Sequence, residues 1–343
     1  MAPTSSPVRI GVIGLGQWGP NHVRNLRMVE GCEVARICDS SASRVALARR
    51  QFPGIEATRD TRSVTDAPDI DAVVVATPVV SHFPLVRRAL EAGKDVLCEK
   101  PLALNSAEAR ALCAVARKRR RILMVGHVFL YNPCTLHLKR AIDRGTLGRI
   151  YYMDAVRTNL GPVRGDVGVV FDLASHDISI FNFLLGSRPE SVSAVGGAFL
   201  QRGIEDIGFL TLTYPRGVIC HVHTSWLNPR KVRQLTVVGS AKMAVWDDMN
   251  ILEPVRYYDK GVLQDNYSSF GEFHMILRDG AITTPKLRLY EPLLRQDQEF
   301  VDCLRSRRQP AASGAFGSEV VRVLEAARAS LGRGGRMTPI TYP

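Results

Sequence analysis

The stretch VRIGVIGLGQWGPNHVRNL, residues 8–26, decides how the first part of the chain folds. Its first six residues form a short apolar run rich in β-branched side chains, which is typical of a buried parallel strand. A GxGxxG pattern follows at Gly14, Gly16 and Gly19, and a helix with one apolar side comes next. In such a turn the first glycine permits the tight bend, the second lets a pyrophosphate approach and the third lets the helix pack on the strand. The stretch therefore predicts a dinucleotide-binding turn, with phosphates at the helix start.

A carboxylate at the end of the next strand indicates which dinucleotide to expect. The strand EVARICD ends at Asp39, 20 residues after Gly19. An acidic residue there accepts hydrogen bonds from the adenosine ribose hydroxyls and repels a 2′-phosphate. The sequence therefore predicts NAD, and Arg44 lies close enough in sequence to leave NADP as an alternative.

Strands and helices continue to alternate as far as His127. The apolar segments DAVVVATP, KDVLCEKP and RILMVGH are separated by helical patterns at residues 79–92 and 106–119. This alternation predicts a doubly wound parallel sheet, which we assign to a Rossmann domain at residues 1–126. Ligands of such sheets bind at the C-terminal strand ends, so the expected site residues include Gly14, Asp39, Thr77, Glu99 and His127.

The remainder of the chain has a different pattern, with strand-like runs such as VSAVGGAFL, IGFLTLTY and GVICHVHTSW. Before them, FDLASHDISIFNFLLG at residues 171–186 predicts one helix that ends at Gly186. Asp172, His176 and Ser179 would share one stripe of that helix, opposite an apolar core face. A solvated face, or a core histidine satisfied by a carboxylate, explains the Asp–His pair as well as a catalytic site does.

Composition and charge argue against several classes of protein. The formal net charge of +12 is an arginine excess, since only eight of the 45 basic residues are lysine. The densest basic run, ARKRRR at 116–121, has no interleaved aromatic residues, so no nucleic acid partner is expected. An anionic small-molecule substrate fits the charge better.

Neither a membrane nor a metal ion is expected as a partner. No apolar run approaches the ~20 residues of a membrane span, and the start MAPTSSPVR lacks the apolar region of a secretory signal. We therefore expect a cytoplasmic protein. The seven scattered cysteines form no CxxC pair, which argues against a structural zinc site.

GLGQWG, ATPVVSHF and CEKPLA, in that order, resemble the Gfo/Idh/MocA family, named after glucose–fructose oxidoreductase and inositol dehydrogenase. The resemblance covers essentially the whole chain, and Glu-Lys-Pro at 99–101 is its most specific mark. VGHVFLYNP also fits, and Asp172 and His176 match the DxxxH motif of the family's second domain. The resemblance implies an α+β domain at residues 127–343 with a large, open, mostly antiparallel sheet. That domain would bind substrate and form a homo-oligomer, a dimer or tetramer, and the C-terminal helix would pack back on the Rossmann domain.

The resemblance also implies roles for particular residues. Lys100, Asp172 and His176 would be catalytic, with His176 as the general base because histidine is the side chain that ordinarily changes charge near neutral pH. Lys100 would stabilise the developing alkoxide, and Lys100 as the base is the alternative. Arg157 and Asn159 would bind substrate, although both could be surface residues. The residues expected to bind the cofactor are Gly14, Gly16, Gln17, Trp18, Asp39, Thr77, Pro78, His82, Glu99, Lys100 and His127.

Within the family, YYMDAVRTNL and SHDISI look most like dehydrogenases that act on sugars. That subgroup includes enzymes that oxidise the 3-hydroxyl of UDP-linked acetamido sugars, and the resemblance therefore implies NAD-dependent oxidation at C3. The expected product is a 3-keto sugar that a downstream aminotransferase consumes. The same oxidation of an aminoglycoside intermediate in antibiotic biosynthesis, and oxidation of an inositol or polyol, are alternatives. A non-catalytic NAD-sensing regulator is another. A further alternative is reduction of a keto sugar or other ketone with NADPH, and Asp39 argues against it.

Overall fold

A computed structural model describes residues 6–264 and 275–342 of the 343-residue chain. The chain divides into two compact units. The first consists of Met1–Asn132 and Tyr290–Glu325, and the second of Pro133–Leu289 and Ala326–Pro343. This division differs from two consecutive domains at 1–126 and 127–343, because residues 290–325 return to the first unit. The domain limits themselves stay a prediction.

The first unit is built on a parallel sheet with strands in the order β3-β2-β1-β4-β5-β6. The doubly wound sheet expected from the alternating pattern is confirmed. Four valine and alanine residues of β4 are fully buried, as a central parallel strand requires. The elements of this unit are β1 (Val8–Ile13), α1 (Gly19–Leu26), β2 (Cys32–Cys38), α2 (Ala42–Gln51), β3 (Glu56–Thr58), α3 (Arg62–Thr65), β4 (Ala72–Val75), α4 (His82–Glu91), β5 (Asp95–Cys98), α5 (Ser106–Arg119) and β6 (Leu123–Val125), with helix α8, defined below.

The second unit contains a nine-stranded sheet in the order β14-β13-β12-β11-β7-β10-β9-β8-β15. Among the described residues only β7 and β10 pair in parallel, so the sheet is mostly antiparallel, as expected. The remaining elements are α6 (Pro133–Asp143), β7 (Ile150–Leu160), α7 (Ser175–Leu185), β8 (Ser191–Gly197), β9 (Ile207–Thr213), β10 (Ile219–Ser225), β11 (Leu227–Gly239), β12 (Met243–Asp247), β13 (Val255–Gln264), β14 (Met275–Thr283), α8 (Pro292–Ser306), α9 (Gly314–Leu331) and β15 (Thr338–Pro339). Helix α9 begins in the first unit and ends in the second.

The segment around the Asp–His pair is not one regular α-helix. Residues Val170–Ala174 form a π-helical turn, and α7 begins only at Ser175. A π turn accommodates an additional residue, so the 100° spacing that placed Asp172 and His176 on one stripe does not hold there. Ser179 is fully buried and donates its hydroxyl to the His176 carbonyl, so the predicted polar stripe does not extend to it. Gly186, with φ of 59°, does end the helix as expected.

The described residues were compared with the features of a membrane span and of a metal site. Within the described ranges, no helix combines the length and the apolar character needed to cross a membrane. In the same residues, no three His, Cys, Asp or Glu side chains come together as a metal site would require.

Candidate active site

The glycine-rich turn has the close approaches that its sequence predicts. Gly14 has φ of 99°, and a Cβ there would lie 2.5 Å from the carbonyl oxygen of Ala76. A Cβ on Gly19 would lie 1.8 Å from the Gly14 oxygen, so any side chain there would push α1 off the turn. By contrast, the atom nearest to a Cβ on Gly16 is an Arg44 nitrogen at 3.9 Å. The turn is therefore closed at Gly14 and Gly19 and open at Gly16, as a pyrophosphate-binding turn requires.

Asp39 stands directly after β2 and is held by the neighbouring backbone. Its carboxylate accepts hydrogen bonds from the Leu15 amide at 2.7 Å and the Ser41 amide at 2.8 Å. The Arg44 guanidinium lies 3.6 Å away and is half exposed. The carboxylate is thus fixed beside the glycine-rich turn, while Arg44 partly offsets its charge.

Four other expected cofactor-binding residues lie at this edge of the sheet. Gln17 and Trp18 belong to the glycine-rich turn, where Trp18 is 39% exposed, and Thr77 and Pro78 belong to the loop after β4. The buried His82 connects that loop to the turn after β5, because its Nε2 lies 2.8 Å from the Thr77 carbonyl. Its Nδ1 lies 2.9 Å from the carbonyl of Pro101, the residue after Lys100. In this structure His82 therefore holds two loops together.

The turn that carries Lys100 is anchored by a buried chain of three side chains. His22, on α1, lies with Nε2 3.0 Å from Glu99 Oε1 and with Nδ1 2.9 Å from Asp297 Oδ1. Glu99 in turn accepts a hydrogen bond from the Lys100 amide at 3.1 Å. Because Asp297 belongs to α8, one histidine connects the phosphate-binding helix, the Glu-Lys-Pro turn and a C-terminal helix.

Their opposite charges explain why these three side chains can be buried together in the protein interior. Burial alone would lower the pKa of His22, but Asp297 and Glu99 outweigh it and raise that pKa to about 10. Burial favours neutral Glu99, yet the hydrogen bond and charge of His22 lower the pKa of Glu99 overall. Burial raises the pKa of Asp297 in spite of His22. At neutral pH the imidazolium therefore serves as the shared cation of two buried carboxyl groups.

His127 follows β6 and is neutral. Burial lowers its pKa to about 3. Among the described residues neither ring nitrogen has a hydrogen-bond partner, and the ring packs edge-on against Phe316. Buried polar atoms of this kind are usually satisfied, so the ring retains hydrogen-bonding capacity for a ligand at the same edge of the sheet.

In the second unit, Asp172 and His176 lie on either side of the junction between the π turn and α7. Asp172 accepts a hydrogen bond at 3.0 Å from Arg164, whose other nitrogens pair with Asp166. The Glu205 carboxylate packs over Gly168, where a Cβ would lie 2.0 Å from it. These contacts fix the segment that leads into the π turn, and hence the position of Asp172.

The two expected substrate-binding residues are both engaged. Arg157 is buried and makes a bidentate ion pair with Asp177, with Nη2–Oδ1 at 2.7 Å and Nε–Oδ2 at 2.9 Å. Asn159 donates its side-chain amide to the Gly161 carbonyl. A substrate phosphate would have to displace the Asp177 carboxylate, which argues against Arg157 as a phosphate ligand.

Sequence reasoning did not identify His22, Asp297 or Arg164. One signal was present, because Asp297 occupies a core position between Leu293 and Phe300 on α8. A carboxylate at such a position predicts a buried partner. The partner lies 275 residues away in the sequence, and no local pattern could identify it.

Comparisons with known proteins agree with this geometry. Residues 8–127 match the model of an oxidoreductase family with an NAD-binding Rossmann fold, and residues 135–245 match the GFO/IDH/MocA C-terminal domain. The chain is 35% identical to inositol 2-dehydrogenase 2 of Saccharopolyspora erythraea, over 63% of this chain and 66% of that protein. It is 28% identical to UDP-N-acetylglucosamine 3-dehydrogenase of Acidithiobacillus ferrooxidans, over 92% of this chain and 94% of that one. A solved structure from Magnetospirillum magnetotacticum matches with a TM-score of 0.78 and 32% identity, covering 94% of this chain and 99% of the other.

The chain belongs to the Gfo/Idh/MocA family of NAD-dependent oxidoreductases. Its own residues fit the cofactor, since the turn is open at Gly16, a carboxylate stands after β2 and a buried imidazole at His127 has unused hydrogen-bonding atoms. Its first domain is an NAD-binding Rossmann domain.

Asp39 should determine the choice between the two nicotinamide dinucleotides. We expect kcat/KM to favour NAD over NADP by tenfold or more, about 1.4 kcal/mol, because the fixed carboxylate repels a 2′-phosphate. Asp39→Ala should narrow the ratio and leave Arg44 to receive the phosphate. Arg44→Ala is the matched control and should keep the NAD preference. Equal kcat/KM with both cofactors in the wild type would contradict this assignment.

His22 should contribute strongly to stability. His22→Ala leaves two buried carboxyl groups without their cation, so the free energy of unfolding in urea should fall by about 3–5 kcal/mol. Arg50→Ala, at an exposed site on α2, should change it by less than about 0.5 kcal/mol.

This contribution should also depend on pH. Since the pKa of His22 is raised from 6.5 to about 10, its contribution is fully present below pH 6.5 and is lost as the pH rises through about 10. The difference in stability between wild type and variant should therefore shrink at high pH. A constant difference, in His22→Ala or in the milder His22→Gln, would show that the imidazole is uncharged.

Proposed function

We propose that the protein oxidises a ring secondary hydroxyl of a sugar or cyclitol with NAD, and that the preferred substrate is a UDP-linked hexose or acetamido sugar oxidised at C3. The observation that carries the reaction is the placement of Lys100. It follows β5 at the C-terminal edge of the NAD-binding sheet, on a turn that Glu99, His22 and His82 hold.

In the proposed reaction, Lys100 of the Glu-Lys-Pro turn and the Asp172–His176 pair have different roles. NAD, when bound, accepts the carbinol hydride. The Lys100 ammonium donates a hydrogen bond to the substrate oxygen and stabilises the alkoxide as it develops. His176 removes the hydroxyl proton as general base, and Asp172, held by Arg164, orients the sugar or the imidazole.

Two observations support a nucleotide sugar. The UDP-N-acetylglucosamine 3-dehydrogenase relative matches almost the full length of this chain. In addition, Arg230 and Lys231 are exposed at the start of β11, beside the end of β7. Within the described residues neither side chain forms an ion pair, so both could attract a diphosphate.

A cyclitol is the second candidate, because the relative with 35% identity is an inositol 2-dehydrogenase. A polycationic aminoglycoside is less well supported, since it would need unengaged carboxylates. Asp206 is buried and accepts the Phe199 and Leu200 amides, and Asp154 pairs with His221.

We also propose a homo-oligomer assembled through the exposed face of the large sheet. Tyr152, Phe209 and Ile219 lie on that face and are 38–49% exposed. His221 and His223 lie between them, and Phe209 stacks on His223 with ring centroids 4.5 Å apart. Apolar patches of this kind usually mark contact surfaces.

If the product is a 3-keto sugar, we propose that an aminotransferase consumes it.

The substrate assignment can be tested by incubating the enzyme and NAD with UDP-N-acetylglucosamine, UDP-glucose, inositols or an aminoglycoside precursor. NADH absorbance should rise with the UDP-sugar, whose KM should increase with salt because of its charge. Borodeuteride reduction should place deuterium at C3. NADH formed only with inositols would favour the cyclitol, and tight NAD binding without turnover of any substrate would favour a regulator.

The base can be tested by substitution. His176→Ala should reduce kcat by about 10²–10⁴ and leave NAD affinity unchanged, because the cofactor-binding residues belong to the first unit. His137→Gln, on α6 of the same unit, should retain kcat. If Lys100→Met abolishes turnover while His176→Ala keeps a near-normal rate and pH profile, then Lys100 is the base.

A further inference from the structure

A cavity of about 610 Å³ lies in the first unit, away from the glycine-rich turn. The end of α5, the start of β6, the segment after α8 and the start of α9 form its walls. Its lining includes four arginines, Arg117, Arg120, Arg121 and Arg307, together with Gln309. Three of the four belong to the basic run at 116–121, which neither the cofactor site nor the proposed reaction uses.

The cavity is distinct from the cofactor site because it lies at the opposite edge of the sheet. Arg121 directly precedes Ile122 and β6, so the cavity opens where that parallel strand begins. The glycine-rich turn, Asp39 and Lys100 all follow the C-terminal ends of strands. A ligand in the cavity would therefore leave the NAD site free.

The cavity has more positively charged side chains than negatively charged ones. Asp95, buried beside it, accepts two hydrogen bonds from Arg307, with Nη1–Oδ2 at 2.7 Å and Nη2–Oδ1 at 3.2 Å. Arg121 lies 3.9 Å from the same carboxylate, and its Nε is buried with no partner among the described residues. Within those residues, no carboxylate pairs with Arg117 or Arg120. One carboxylate thus faces four guanidinium groups.

The backbone brings these arginines together at two helix ends. Arg120 and Arg307 follow α5 and α8 with φ of 53° and 56°, a conformation that glycine adopts more readily. Arg307 Nη2 also donates to the Arg120 carbonyl at 2.9 Å. Arginine therefore occupies two positions where the backbone favours glycine, and both side chains line the cavity.

We propose that this cavity binds a small molecule that carries a phosphate or diphosphate group. Its volume is within the range of small-molecule sites, and guanidinium groups bind phosphate oxygens in pairs. A nucleic acid would instead require an extended basic surface, usually with aromatic residues for stacking. The shape therefore favours a compact anion.

The test is calorimetric titration of NAD-saturated enzyme with inorganic pyrophosphate, since bound NAD blocks the glycine-rich turn. We expect a binding event that is weakened at least tenfold in Arg117→Ala/Arg120→Ala and kept in Arg230→Ala/Lys231→Ala, which removes the proposed diphosphate contacts of the substrate site. The control is Arg27→Ala/Arg50→Ala, which removes the same charge from exposed positions outside the cavity and should alter the affinity by less than twofold. Turnover with the substrate should be unchanged in the cavity variant and in this control without pyrophosphate.

Three outcomes would overturn the proposal. They are the absence of binding, equal loss of affinity in the cavity variant and its control, and tighter binding of single-stranded oligonucleotides as their length increases. The first two would leave an unspecific surface charge, and the third would indicate a nucleic acid surface. None of the three depends on the sugar substrate, so failure here is separate from failure of the proposed reaction.

Discussion

The charged contact of His22 with Glu99 and Asp297 is the interaction on which the candidate site most depends. Burying two carboxyl groups is costly, and a shared imidazolium offsets that cost only while all three side chains keep their positions. The contact joins α1, which begins at the pyrophosphate turn, to the turn that bears Lys100. A shift in α8, which supplies Asp297, would disturb both. In this protein a C-terminal segment therefore helps to hold the candidate site of the dinucleotide-binding fold in position.

The first unit could be predicted from sequence because its signals are local. The apolar runs of β1, β4 and β5 and the spacing of Gly14, Gly16 and Gly19 determine strand, turn and helix over fewer than 20 residues each. The identity of the partner of Glu99 could not be predicted in this way. His22 and Asp297 come into contact only when distant segments of the chain pack together. In the sequence, a buried charged residue is visible only as an exception to an apolar pattern.

The second unit shows a different limit of sequence reasoning. Several strands of the large sheet are visible as strand-like runs, although the sheet itself is implied by the family resemblance. The α-helical period assumed for residues 171–186 fails at the π turn. Arg157 illustrates the same limit, because a basic residue on a strand near the site resembles a phosphate ligand until its pairing with Asp177 is seen. Residue type and spacing predict which chemistry is available, whereas the third dimension decides which charges are already used.

The difference between paired and unpaired charges also determines what the arginine excess can do. Arg157 and Arg308 each form a bidentate contact with a carboxylate, and such pairs contribute no net charge to a ligand. The positive charge available for recognition is therefore concentrated where carboxylates are few. Two such places are the start of β11 and the cavity beside Asp95. A formal charge of +12 predicts neither location, because the field at a site depends on the uncompensated charges around it and falls off within a Debye length of ~8 Å at physiological salt.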